Sequence, residues 1–207
     1  MDIFQCIQLH LAHLPSRGYL DCELLHLTDS EGHRIYSEMN TCDWWWDTPG
    51  QYPAGATIVS VIWASDKTVL TNCSSAQHAC QLNLTIGNIQ RHIRWTLKRC
   101  ALFHVSLNPC PPNDATKIEN AWYSAVGTVL SQLRYLDITG PGLKWDFADA
   151  FQQQYYPLLA AWVGDYPERI IVSWLSYGSF PMCEVPQHAP MGHFTFWPLD
   201  YWRERHI

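Results

Sequence analysis

Hydrophobic positions along the chain change period several times, and each change marks an element. The clearest run is Thr57 to Ala64, Thr-Ile-Val-Ser-Val-Ile-Trp-Ala, whose β-branched stretch predicts a buried strand ending just before Ser65-Asp66. From Gln81 to Ile89 apolar and polar residues alternate through Leu82, Leu84 and Ile86 before a Gly87-Asn88 turn, the pattern of a second strand. Cys100 to Leu107 reads as a third, stopped by Asn108-Pro109 and Pro111-Pro112. Then Ala121, Trp122, Ala125, Val126, Val129, Leu130 and Leu133 recur at spacings of three and four, which predicts an amphipathic helix. Gly140-Pro141-Gly142 makes a turn, and Leu143 to Phe147 fits a short fourth strand. Phe151, Tyr155, Leu158, Leu159 and Trp162 give a second helical face, with Pro157 at a kink or a break. Arg169 to Leu175 reads as a fifth strand, and after Gly178 the Pro- and His-rich sequence has no period and reads as loop.

The N-terminal part is less regular. Residues 1–28 are apolar but aperiodic, broken by Pro15 and Gly18, and Leu20 to Leu27 fits a short strand or a short helix equally. Asp29-Ser30-Glu31 offers a capping residue for a helix through Trp46. Thr48 to Gly55 holds two prolines and two glycines and reads as a linker. The expected organisation is an N-terminal segment (1–55), a core (56–176) and a loop-rich tail (177–207). Three strands, helix, strand, helix, strand predict an α/β fold, a three-strand meander followed by αβαβ with helices packed on a mixed sheet. That order matches part of a ribonuclease-H-like fold.

Composition narrows the class. Hydrophobic residues make up 47% of the 207, charged residues 15% and aromatics 14%, with 11 tryptophans, so a packed core rather than disorder is expected. No apolar run is long enough to cross a bilayer, and Met1-Asp2-Ile3-Phe4-Gln5 lacks the basic and apolar parts of a secretory leader. The net charge of −6 disfavours nucleic-acid binding by bulk electrostatics, although Arg91, Arg94, Lys98 and Arg99 form a local basic run. Eight cysteines without a CxxC pair read as free thiols.

Acidic residues at the ends of the first and fourth predicted strands are the leading candidates for chemistry. Asp66 follows the first and Asp149 the fourth, with Asp146 as a rival. Two carboxylates brought together in this way repel unless a divalent cation lies between them, and hard oxygen donors select Mg²⁺ or Mn²⁺. Aspartates in these positions also serve as turn and cap residues. Cys183 with His188 and His193 is too loosely spaced for a structural zinc site, and His10 with His13 has no third ligand. Trp44-Trp45-Trp46 is able to stack on bases, but Asp43 and Asp47 beside it suit an anchor on the core better. No nucleophile elbow, P-loop, dinucleotide fingerprint or HExxH motif occurs.

Several longer blocks carry a family resemblance. Ala64-Ser65-Asp66-Lys67-Thr68-Val69-Leu70-Thr71, Leu84-Thr85-Ile86-Gly87-Asn88-Ile89 and Pro157 to Glu168 stand in the same order as in Plavaka-type transposases, of the Kyakuja–Dileera–Zisupton group. Tyr36 to Trp46 and Ser176 to Glu184 also resemble that family. The resemblance implies a ribonuclease-H-like core that cuts and joins DNA with an acidic triad and Mg²⁺ or Mn²⁺. It implies DNA or a full-length transposase as partner, a nuclear location if functional and otherwise a cytoplasmic one, and no membrane or small-molecule substrate. Asp66 becomes the first carboxylate and Asp149 the second, while the third is not matched before Ile207. The family's Cys-Ala-Asp-Gly motif reads Phe147-Ala148-Asp149-Ala150, and its Phe-Ser-Gly-Asp-Lys reads Cys73-Ser74-Ser75-Ala76-Gln77. Its Cys-Pro-x-Cys pair has become Phe180 and Cys183, which argues against zinc binding. These departures imply a truncated, inactive copy.

Overall fold

The computed structural model describes residues 2–13, 18–71, 77–96, 101–110, 115–135, 142–146 and 152–173. The chain divides into two compact units, Met1–Val163 and Gly164–Ile207. In the first, α1 (Ile3–His13) precedes a small hairpin of β1 (Leu27–Thr28) and β2 (Arg34–Ile35), then the short helix α2 (Asp43–Asp47). The main sheet comes next: β3 (Thr57–Thr71), β4 (Gln77–Ile86), the one-turn helix α3 (Arg91–Arg94), β5 (Phe103–Cys110), α4 (Ala115–Tyr135), β6 (Leu143–Asp146) and β7 (Gln152–Val163). Its spatial order is β5-β4-β3-β7-β6. The pairs β3–β4, β4–β5 and β6–β7 are antiparallel, and β7 runs parallel to β3. The fold is therefore a mixed α/β sheet with helices, in agreement with the expected class.

The core lies on one face of β3. Val59, Val61 and Trp63 alternate along the strand, each fully buried, and their cross-strand partners include Ile86 and Leu84, also fully buried. Residues paired across strands project to the same side, so this face is a continuous apolar layer. Trp162 stacks on Trp63 at 6.4 Å and meets Trp122 of α4 at 5.7 Å. Helix α1 adds the stripe Ile3, Cys6, Ile7, His10 and Leu11, all buried, with His10 against Phe103 of β5 at 4.4 Å. The sequence pattern hides α1, because Pro15 comes so soon that the stripe covers only three turns.

Five expectations are corrected. The third strand does not stop at Asn108-Pro109: β5 starts at Phe103 and stays paired with β4 through Cys110. The predicted helix from Asp29 to Trp46 is instead the β1–β2 hairpin, a 3₁₀ turn at Met39–Thr41 and α2. Asp29 does cap, but it caps a turn: its Oδ1 accepts the N–H groups of Glu31 (2.9 Å) and His33 (2.8 Å), and Gly32 takes φ of +86°. Those N–H bonds also hold the Asp29 carboxyl below its ordinary pKa.

The predicted helix through Phe151 to Trp162 is the strand β7. An irregularity between Val61 and Ile62 lets β7 slip one residue, so Leu159 faces Val61 while Ala161 faces Ile62. The extra residue breaks the period of two and leaves apolar spacings that imitate a helix. Pro157 stands two residues beyond Tyr155, the last described β7 partner of β6.

The predicted first strand is longer than expected: β3 continues through Asp66 to Thr71 because β4 pairs with it as far as Gln77. Finally, in the second unit, the predicted strand from Arg169 is the helix α5 (Tyr166–Val172). Asp165 caps it, accepting the Glu168 N–H at 3.2 Å, and local capping outweighs the β-branched composition.

Candidate functional site

Asp66 lies within β3 rather than after it. The parallel register with β7 ends at Ala64 opposite Val163, and Asp66 is two residues further on, exposed to solvent. On the other side it faces Gln81 of β4, whose Nε2 donates to Asp66 Oδ2 at 3.5 Å. Ala64 pairs with Asn83, and Asn83 with His104 of β5, so these residues share the face of Asp66. Asn83 Oδ1 and His104 Nδ1 are 3.0 Å apart, and His104 is exposed. The result is a polar strip across three strands with one carboxylate, one imidazole and two carboxamides, on the side of the sheet opposite the Trp63 core. From the core side, Trp162 Nε1 donates to Ser65 Oγ at 2.9 Å and fixes the strand next to Asp66.

The other expected site residues are distributed differently. Asp149, Lys98, Arg99 and Cys183 lie outside the described residues. The described ends of the β6–β7 hairpin are Asp146 and Gln152, which pair with each other. Gln152 is at the start of β7, whose eleven further residues, at about 3.3 Å each, lead to the Val163 end beside Ala64.

In the basic run, Arg91 is exposed, but Arg94 is spent inside the fold. Its Nη1 donates to Gly87 O at 2.8 Å and its Nη2 is 3.5 Å from Glu38, with only 16% of the side chain exposed. Burial draws the Arg94 pKa below its usual value, with Glu38 acting against that shift. Glu38 also accepts the Arg91 N–H through both oxygens, at 3.1 and 3.2 Å, so this cluster fastens the segment before α2 to α3. Among the described residues, no three His, Cys, Asp or Glu side chains gather in a way that would hold a metal, and no helix is long and apolar enough to cross a membrane.

The sheet, the carboxylate strip and the ordered blocks all lie within the span of one comparison: a family model described as Plavaka transposase matches residues 1–198. The chain belongs to the Plavaka transposase family. It is a transposase-derived protein. No curated protein and no solved structure matches it.

The structure gives physical roles to the blocks that carried the resemblance. In the Plavaka block Leu84 to Ile89, Asn88 is completely buried and continues the β4 ladder with its side chain. Its Oδ1 accepts the Ser60 N–H at 3.0 Å, and its Nδ2 donates to Ile58 O at 3.0 Å. Its own backbone carbonyl accepts the Asp21 N–H at 2.7 Å, which ties the N-terminal segment to the sheet. Gly87 must be glycine: a Cβ there would fall 2.4 Å from Ser60 Oγ and 2.7 Å from Met39 Cγ. Trp45 of the tryptophan triplet is 2% exposed and anchors its segment, while Trp46 is 40% exposed, beside Arg34 at 5.7 Å. Sequence reasoning missed Gln81, Asn83 and His104. The signal was present, since polar residues at every second position of β4 mark its solvent face, but their register against Asp66 is a tertiary fact.

Proposed function

We propose that this chain carries part of a metal-dependent DNA cutting and joining core built on a ribonuclease-H-like sheet, and that by itself it binds DNA or a full-length transposase without cutting. The observation that supports this most is the sheet order. An antiparallel meander has its first strand at the centre, a helix comes after the meander, and β7 returns parallel to that first strand. Asp66 projects from the central strand two residues past the last parallel pair.

Its exposed carboxylate, with the Gln81 carboxamide beside it, supplies hard oxygen donors suited to Mg²⁺ or Mn²⁺. Such an ion, when bound, activates a water or a 3′-hydroxyl and stabilises the leaving oxygen of a phosphodiester. Gln81 holds the carboxylate in place, and the open strip leaves a strand of DNA room to approach. In this reading Asp149, which follows Asp146 of β6 in the chain, supplies the second carboxylate.

The lack of cutting is supported by residue types: Ala150 replaces a turn-easing glycine, Cys73 to Gln77 lacks an acid and a base, and Phe180 replaces a cysteine. A DNA-bound role places the protein in the nucleus. The test combines plasmid nicking in Mg²⁺ or Mn²⁺ with calorimetric titration of Mn²⁺. The expected outcome is no nicking, with Mn²⁺ binding weakened by Asp66→Asn and by Asp149→Asn. Nicking that Asp66→Asn abolishes would refute the non-cutting role, and unchanged Mn²⁺ affinity in Asp66→Asn would refute the metal role.

A further inference from the structure

Trp95 is 80% exposed, the most open large apolar side chain among the described residues. It is not on a loose loop. It directly follows α3, whose Ile93 is 5% exposed and whose Arg94 is bonded to Gly87 O and Glu38. The Trp95 N–H donates to Arg91 O at 3.1 Å. The start of the turn is fastened by Gln90, through its N–H to Tyr19 O at 3.1 Å and its Nε2 to Asp21 Oδ1 at 3.1 Å. An indole held outward on so fixed a base loses little conformational freedom when something covers it.

The neighbouring charge says what that is. Arg91, His92 and Thr96, close to Trp95 in the chain, are exposed. The nearby acids face inward: Glu38 accepts from Arg91 N and lies beside Arg94, and Asp21 accepts from Gln90. An exposed aromatic beside an outward cation, here Arg91, has the two parts of a single-strand binding surface, a stacking plane and a phosphate partner. The flanking aspartates of the tryptophan triplet deny that combination to Trp46.

We propose that Trp95 is a stacking platform for a base of single-stranded DNA, with Arg91 beside it meeting the phosphate backbone. This rests on the DNA-binding half of the proposed function and adds the strandedness of the ligand and the residue that reads it. A single strand is the better ligand because duplex stacking hides the base faces that an indole needs.

The test is fluorescence anisotropy with a labelled single-stranded oligonucleotide and its duplex, across a salt series. Trp95→Ala is expected to weaken single-strand binding about tenfold or more and leave the salt slope unchanged. Trp95→Phe should retain most of the affinity, and Arg91→Ala should lower the slope by about one. Because Trp95 is exposed, Trp95→Ala should keep the wild-type urea midpoint. Wild-type binding that Trp95→Ala leaves intact overturns the inference alone, as does an equal loss for single strand and duplex. Absence of wild-type binding at low salt overturns the DNA reading with it. Self-association of the wild type that Trp95→Ala abolishes, with DNA binding unchanged, would assign the surface to a second copy and also overturn the inference.

Discussion

Asn88→Ala isolates the side-chain ladder that continues the β4 pairing onto Ser60 and Ile58, because the Asn88 backbone carbonyl keeps its bond from Asp21 N–H. Beyond the Val61–Ile86 pair the β4 backbone turns away, so Ser60 N–H and Ile58 C=O have no strand partner on that side. The Asn88 carboxamide takes both, at 3.0 Å each, in a position with no solvent exposure. Truncation strands one buried donor and one buried acceptor, each costing roughly 1–3 kcal/mol. The sum, about 2–6 kcal/mol, is a large share of the 5–15 kcal/mol typical of a whole domain. Ser60→Ala is the control. It removes only the 3.3 Å contact from Ser60 Oγ to Asn88 Oδ1 and leaves the backbone bond, so it should cost about 1 kcal/mol or less. Urea unfolding followed by tryptophan fluorescence reads both, with comparable m-values required for the comparison. If Asn88→Ala lost less than about 1 kcal/mol, or no more than Ser60→Ala, the side-chain ladder would not be the source of the stability claimed for it.

Neighbouring contacts carry further predictions. Gly87→Ala should cost about 1–3 kcal/mol through the 2.4 Å approach to Ser60 Oγ, and part of that loss should return in the double variant with Ser60→Ala, measured as a double-mutant cycle. Burial holds the His10 pKa near 4, below its ordinary 6.5, so the folded state resists protonation. Stability is then full above about pH 6.5 and falls by of order 3 kcal/mol as pH drops towards 4. His10→Leu should flatten that window in a pH series of urea midpoints. Arg94→Ala should lower the unfolding free energy, read by urea titration, by about 1–2 kcal/mol through the loss of the Gly87 and Glu38 contacts, while Arg91→Ala leaves it unchanged and acts on DNA binding instead.

What could be read from the sequence divides along a physical line. Strand β3, buried throughout Ile58 to Val61, was legible from its β-branched composition. Strand β4 and helix α4 were legible because each has one solvent face and one buried face, so the side-chain period survives in the residue types. Strand β7 was not, for the opposite reason. Tyr155 and Tyr156 are adjacent and both buried, and the slip at Ala160 removes the alternation that remains. Capping residues misled once, at Asp29, and went unread at Asp165. Asp29 and Asp165 both present a carboxylate to N–H groups further along the chain, yet the first closes a hairpin turn and the second opens a helix. The local chemistry is identical, and the residues downstream decide between the two: Gly32 with its positive φ in one case, and an uninterrupted run to Val172 in the other.

The same distinction governs the candidate site. Asp66 was legible as an acid at the margin of an apolar run, because burial stops near it: Ser65 is 5% exposed and Asp66 is open. Its partners were not, since Gln81, Asn83 and His104 join it only through the β3–β4–β5 register. The basic run shows the converse error, in which residues alike in sequence part company in space. Arg94 turns inward to close α3 on Gly87, and by doing so holds Trp95 and Arg91 outward. A charge count across Arg91 to Arg99 therefore overstates the cations available to phosphate and overlooks the ring. The residue that the count would rank equal to its neighbours is instead the clamp that presents them, and replacing it should cost stability first and DNA affinity only as a consequence.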